Sequence, residues 1–297
     1  MKKQRLTEPT QPLPKLKITK EINALLLMAL QEDIGAGDVT SNAVIPPRMA
    51  GEGLIFSKQG GVLCGIDVAR RVLQLVDKKV EMEVLAEDGA VLKPWMEIAK
   101  LRGSLRSMLS AERLMLNFLQ RLSGIATQTR HFVDALRAAG SAIEVADTRK
   151  TTPLWRTLER HAVRVGGGIN HRFALCDMYL IKNNHVDAVG GMREALRRVH
   201  AANRGAKLKI AVEARNLREV EDIVAIGADL ILLDNMSPVA IRKAANLVAG
   251  RIPTEVTGKV SVHQVPVLAR LPVDRVSVGA LTHSSPALDI SLHLKNL

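Results

Sequence analysis

Between Thr148 and Lys182 the chain concentrates Thr148-Arg149-Lys150, Asn170-His171-Arg172 and Lys182, with Arg156, Arg160 and Arg164 on an intervening helical segment. Arg160 and Arg164 suit a solvated helix face. Arg149, Lys150, Arg172 and Lys182 follow no such period and fall at the ends of apolar segments or beside glycines. A guanidinium offers a planar fork matched to carboxylate or phosphate oxygens, and an ammonium adds a compact charge. Converging, these groups would hold a small molecule with several carboxylates or phosphates. Glu213 and Asp234 end two later apolar segments. Carboxylates placed so can hold sugar hydroxyls or Mg²⁺, or simply pair with Lys182 or Arg172. Thr257-Gly258 and Ser277-Val278-Gly279-Ala280 offer lightly covered backbone N–H groups, which suit a phosphate or an ordinary turn. His171 and His185 lack metal-ligand spacing. A Schiff-base role for Lys150 or Lys182 would need a desolvated lysine, which neighbouring charges oppose.

These residues need a scaffold that brings distant positions together. From residue 143 onward short apolar segments begin near Ile143, Met178, Leu208, Asp229, Pro253 and Arg275, and helical stripes such as Val189/Met192/Leu196/Val199 separate them. That rhythm predicts βα units and a parallel sheet. The segments end at Asp147, Lys182, Glu213, Asp234, Thr257 and Gly279, so a barrel would gather those ends on one rim. The same alternation suits an open doubly wound sheet, and six such strands would leave a barrel incomplete. Gly166-Gly167-Gly168 follows a helix rather than a strand, a weak dinucleotide signal. Upstream, the pattern predicts a helix over 19–33, short strands from Gly53 to about Leu101 interrupted by a helix near 66–77, then helices over 107–121 and 126–139. On the first of these last two, Arg113 and Asn117 share the polar face.

The chain has 297 residues, 47% apolar and 24% charged, as an ordinary globular protein does. Its 42 basic and 30 acidic residues leave a net charge of +12, which favours an anionic partner. Aromatics at 2% weaken a stacking-based nucleic-acid reading. Cys64 and Cys176 match neither a disulfide framework nor a zinc site, and a reducing cytoplasmic setting fits them. The apolar run around Leu25–Leu30 is too short to span a bilayer. The N-terminus has no hydrophobic secretory core.

Taken in order, several strings resemble the quinolinate phosphoribosyltransferase family. They are Glu32-Asp33-Ile34-Gly35 with Gly37-Asp38-Val39-Thr40, Glu112-Arg113 with Leu116-Asn117-Phe118, and Leu122-Ser123-Gly124-Ile125-Ala126-Thr127. More specific are Asp147-Thr148-Arg149-Lys150-Thr151-Thr152-Pro153, Gly166-Gly167-Gly168-Ile169-Asn170-His171-Arg172, and Leu180-Ile181-Lys182 with Asn184-His185. Leu232-Leu233-Asp234-Asn235 and Ser277-Val278-Gly279-Ala280-Leu281-Thr282 complete the set.

The resemblance implies an α/β protein with an N-terminal α+β open-sandwich domain and an incomplete parallel α/β barrel of six or seven strands. On this chain the parts fall as a flexible arm (1–17), the N-terminal domain (18–125), the barrel domain (126–282), and a C-terminal segment (283–297) returning to the N-terminal domain. It implies that quinolinate and phosphoribosyl pyrophosphate give nicotinate mononucleotide, pyrophosphate and carbon dioxide in NAD biosynthesis, with Mg²⁺ and no organic cofactor. Arg149, Lys150, His171, Arg172 and Lys182, with Thr148, match the pocket for the diacid and nearby phosphates. Arg113 matches an arginine crossing the interface of a homodimer or dimer-based oligomer. Glu213 and Asp234 match acids near the ribose and metal, and with Lys150 are the expected catalytic groups. Thr257, Gly258, Lys259, Val278, Gly279 and Ala280 match the 5′-phosphate loops. The chain departs from the usual residues at Leu154-Trp155 (for Gly-Leu), Arg160-His161 (for Lys-Tyr), Ala211 (for Glu) and Lys259 (for Gly). Competing readings are a sibling phosphoribosyltransferase acting on another aromatic acid, such as a molybdenum-transport-linked relative, and a basic nucleic-acid-binding protein. Neither nucleic acid nor membrane is an expected partner.

Overall fold

The computed structural model describes residue 13 and residues 15–296. Most of the expected arm, residues 1–12 and 14, lies outside them. The chain forms two compact units: one holds the residues up to Arg130 with Thr152–Gly167 and the segment from Ser284, the other His131–Thr151 with Gly168–His283.

The first unit begins with α1 (Lys20–Ile34) and α2 (Val39–Val44). Asp38 caps α2, its carboxylate accepting from Ser41 N–H at 2.9 Å, so the Gly37-Asp38 string is a helix start. There follow β1 (Ala50–Ser57), β2 (Gly61–Val62), α3 (Ile66–Val76), β3 (Glu81–Val84), β4 (Val91–Leu92), β5 (Glu97–Ser104) and α4 (Leu105–Ala138). Val68, Ala69, Val72 and Leu73 give α3 one buried stripe, and each such large aliphatic contributes about 1.5–3 kcal/mol on burial. The last strand of the chain, β12 (Ile290–Asn296), pairs antiparallel with β1, completing the sheet order β12-β1-β5-β3.

The two helices expected over 107–121 and 126–139 are one helix of 34 residues. Ser123-Gly124 does not break it. Thr127 Oγ1 donates to Ser123 O at 2.7 Å and accepts from Val62 N–H at 2.8 Å, while Ser123 Oγ accepts from Cys64 N–H at 2.9 Å. A Cβ on Gly124 would lie 2.0 Å from Pro286 O, so this glycine serves a backbone crossing.

The second unit carries β6 (Glu144–Ala146), β7 (Tyr179–Ile181), β8 (Ile210–Ala214), β9 (Leu230–Asp234), β10 (Thr254–Thr257) and β11 (Arg275–Ser277). They form one parallel sheet in the order β6-β11-β10-β9-β8-β7. Leu230–Leu233 are all buried, as a strand covered on both faces requires. Among the described residues no ladder joins β6 to β7, so the barrel is incomplete, as expected. Between the strands lie α6 (Asn183–Ala188), α7 (Met192–Asn203), α8 (Leu217–Ile226) and α9 (Pro238–Val248); α10 (Val265–Leu268) and α11 (Ala280–His283) are single turns. Because the strands are parallel, their C-terminal ends share one rim.

Gly166-Gly167-Gly168 is a helix stop rather than a nucleotide loop. It ends α5 (Arg156–Val165), with Gly166 N–H donating to Ala162 O and Gly167 at φ +92°. Arg130, 1% exposed, donates from Nε to Gly166 O at 3.0 Å and from Nη2 to Val165 O at 3.2 Å, capping that end.

Candidate active site

A cavity of about 390 Å³ opens at the C-terminal rim of the six strands, wholly within the second unit. Arg149, Lys150, Arg172, Lys182 and Lys259 line it as cations, and Glu213, Asp234 and Glu255 as acids. Thr148, His171, Asn235, Thr257, Gly258 and Ser277 complete its polar wall. The residues expected to converge from strands β6 to β10 therefore do so.

Asp147, fully buried at the end of β6, organises one side. Its Oδ1 accepts from His171 N–H at 2.8 Å and its Oδ2 from the Asn170 side-chain amide at 2.6 Å. Ile169 bridges Ala146 as a short parallel addition to the sheet, which brings His171 and Arg172 beside Arg149 and Lys150. Arg172 is buried; its Nη1 donates to Met178 O at 3.1 Å, and desolvation, then the nearby Arg149, lower its pKa. The like charge of Arg149 disfavours the charged Arg172, an effect that a nearby anion would offset. Arg149 Nε is buried without a hydrogen-bond partner. On the other flank Thr282 Oγ1 donates to Lys150 O at 2.8 Å.

Lys182 Nζ lies 3.2 Å from Glu213 Oε1, with 46% of its side chain exposed. So exposed a pair contributes little to stability, about 0–1 kcal/mol, and leaves Lys182 able to exchange partners. Asp234 accepts from Asn183 at 3.2 Å and Asn235 at 3.0 Å. Asn235 (φ +52°) donates its N–H to Thr257 O, and a Cβ on Gly258 (φ +126°) would lie 2.4 Å from Asn235 Oδ1. Only glycine fits there. Gly279 faces Lys150, whose Cδ would be 3.0 Å from an added Cβ. Of this loop Ser277 lines the cavity, and Val278, Gly279 and Ala280 do not: Val278 is 1% exposed with its N–H donating to Ala146 O, and Ala280 begins α11. Arg113 stands exposed on α4 in the first unit. His185 is a helix-start residue, its Nδ1 accepting from Lys182 N–H at 2.9 Å.

Glu255 was not anticipated. The strand-end rule selects Thr257, whereas Glu255 lies two residues earlier on β10, pointing into the cavity floor. Burial pushes its carboxyl up to about 7; Ser277 and Arg275 oppose the shift, and Asp147 and Glu213 add to it. The available signal was a lone acid inside a four-residue strand that is otherwise uncharged.

A second polar cluster, in the first unit, joins Cys64, Asp88 and His161, whose ligand atoms lie within 4.8 Å of one another. Asp88 Oδ1 accepts from Gly65 N–H at 2.8 Å and Ile66 N–H at 3.0 Å, capping α3, and His161 Nε2 lies 3.3 Å from Oδ2. Burial and Asp88 push the Cys64 thiol up, so it is neither thiolate nor nucleophile. The departures at 154 and 155 also belong here. Trp155 stacks on Phe118 at 4.4 Å between ring centroids, and Leu154 holds φ +67°, a region glycine occupies without strain.

Comparison with known proteins agrees with the resemblance. Residues 38–123 match the family profile described as quinolinate phosphoribosyl transferase, N-terminal domain, and residues 125–293 its C-terminal domain. The chain is 39% identical over 277 residues to a probable nicotinate-nucleotide pyrophosphorylase (carboxylating) of Bacillus subtilis, covering 93% of each. It is 37% identical over 294 residues to the chloroplastic nicotinate-nucleotide pyrophosphorylase (carboxylating) of Oryza sativa subsp. japonica, covering 93% of this chain and 78% of the relative. The crystal structure of NadC from Streptococcus pyogenes superposes with a TM-score of 0.91 at 40% identity, covering 96% of this chain and 99% of that one. The nicotinate-nucleotide pyrophosphorylase of Francisella tularensis does so with a TM-score of 0.89 at 34% identity, covering 96% and 100%.

Proposed function

The chain belongs to the quinolinate phosphoribosyltransferase family, and we infer that it is the enzyme converting quinolinate and phosphoribosyl pyrophosphate to nicotinate mononucleotide, pyrophosphate and carbon dioxide in NAD biosynthesis. The observation carrying this reading is the gathering of Arg149, Lys150, Arg172 and Lys182 in one cavity beside Glu213, Asp234 and Gly258.

Both substrates are polyanions, and the cavity sets five cations against three acids. The Arg149 and Arg172 forks suit the two carboxylates of a pyridine diacid, with Lys182 released from Glu213 to join them. Substrate binding thereby frees Glu213 to face the ribose, where positive character builds as pyrophosphate leaves. Lys150 faces the leaving phosphates, and Thr257-Gly258-Lys259 with Gly279 offers backbone N–H groups and charge to the 5′-phosphate. Once ribosylated, the pyridine nitrogen is itself the electron sink for loss of the neighbouring carboxylate. The protein's task is then placement and field.

The donor set fits Mg²⁺. Glu213 and Asp234 supply carboxylate oxygens, and this ion takes one or two carboxylates together with substrate phosphates. These two residues would hold it, directly or through water, and the ion would neutralise charge on departing pyrophosphate. The exposed Arg113 supports a second copy of the chain donating this arginine across a dimer interface. Free Cys64 and Cys176 support a reducing cytoplasmic setting. Among the described residues no helix is long and apolar enough to cross a membrane.

Incubating the purified chain with quinolinate, phosphoribosyl pyrophosphate and Mg²⁺ should release pyrophosphate and carbon dioxide in equal amounts. Turnover of nicotinate with quinolinate inert would reject the reading in favour of a sibling enzyme.

A further inference from the structure

We propose that Glu255 is a positioning residue of the acid-binding cavity, holding His171 as the neutral imidazole with its proton on Nε2 and thereby fixing the backbone that carries Arg172. The proposal deepens the function inferred above and rests on it for its kinetic consequence.

The geometry runs in one chain of contacts. Arg172 N–H donates to His171 Nδ1 at 2.9 Å. A backbone N–H can only donate, so Nδ1 must present its lone pair, and the single proton of a neutral ring then sits on Nε2. Nε2 faces Glu255 Oε1 at 3.6 Å, where the carboxyl is 0% exposed. An imidazolium would set an Nδ1 proton against the Arg172 N–H, so this arrangement opposes the charged ring. Nδ1 is therefore committed to the protein, and Nε2 is turned toward the buried Glu255 carboxyl at 3.6 Å, an approach beyond hydrogen-bond length in which the ring is held by facing the acid. In this arrangement His171 adds no cation to the cavity it lines.

The charged and titratable groups around Glu255 come from every neighbouring element: Asp147 at the end of β6, Glu213 on β8, Arg275 in register with it on β11, and His171 from the loop. Asp147 grips the same loop from the other side through His171 N–H. Asp147 thus fixes the main chain of this loop and Glu255 the ring, and together they aim Arg172.

Two measurements test this. In the substrate-free full-length chain, ¹⁵N NMR of His171, assigned by loss of its signals in His171→Asn, should show Nδ1 unprotonated and Nε2 protonated at neutral pH. A protonated Nδ1 overturns the proposal. Kinetically, Glu255→Gln keeps an oxygen acceptor for Nε2–H and should leave the quinolinate KM within about threefold, while Glu255→Leu should raise it about tenfold with a smaller change in kcat. Equal losses in both variants, or none in either, overturn it as well. Should Glu255→Leu fail to fold, the NMR of the unsubstituted chain and the Gln variant still decides. If the chain turns over another acid or none, the function is wrong, and the NMR result stands independently.

Discussion

Two arginines, Arg130 buried and Arg149 half-buried, set the two units of this molecule apart. Arg130, in the first unit, gives its guanidinium to the carbonyls of Val165 and Gly166 and closes a helix end. Arg149, in the second, leaves Nε buried without a hydrogen-bond partner at the edge of a cavity. The polar clusters repeat the contrast. Cys64, Asp88 and His161 close on one another and on the start of α3, whereas Arg172 lies beside another guanidinium with a depressed pKa. A polar group kept for the fold has its bonds made within the fold. On the function inferred above, a group that serves a ligand keeps an atom unmatched by the fold, as Arg149 Nε does, at a cost in stability.

The largest effect should come from the cavity. Arg149→Ala should lower kcat/KM for quinolinate by about 10²-fold or more while the thermal midpoint stays level or rises, as removal of an unsatisfied buried Nε–H predicts. Steady-state kinetics alongside calorimetry would check it, and a large fall in Tm would break the contrast. Arg130→Met should do the reverse: a stability loss of about 2–4 kcal/mol in urea titration, from two unmet carbonyls, with the catalytic constants of the folded fraction changed little.

Next comes pH. Glu255 holds its proton up to about 7, well above its ordinary value, so the folded state binds a proton that the unfolded chain has released. Its favourable contribution is full below about 4.5 and is lost as pH rises to about 7, by up to about 3 kcal/mol. Glu255→Gln should flatten that slope between pH 5 and 8 and be the more stable protein at pH 8. An unchanged slope in urea midpoints would mean that other groups carry it. The smallest effect concerns Leu154: replacing this exposed residue at φ +67° with glycine should raise stability by about 1 kcal/mol or less. A lower melting temperature would show that its side chain packs more than its exposure suggests.

The barrel was legible because most of its strands are short apolar runs followed by an amphipathic helix, and the six runs begin within a few residues of the observed strands. The rim was legible because polar residues end those runs. Glu255 was hidden by the same rule, since it sits inside a strand whose alternation covers only four residues. Gly124 and Gly166 misled in a common way. Each reads as a break or a loop, but each is small because another segment passes close by, a long-range fact that no local window contains. Leu154 was noted as a departure, yet its backbone strain could be seen only in dihedral space.

The pairing of β12 with β1 has a bearing on how the protein is made. The ribosome delivers β1 before and β12 after the second unit, so the first sheet waits with an open edge while that unit is synthesised and free to fold. Nascent chains stalled before Ile290 should therefore expose that edge to chaperones or to one another. Insertion of a bulky segment close behind β12 would burden the strand whose arrival covers that edge.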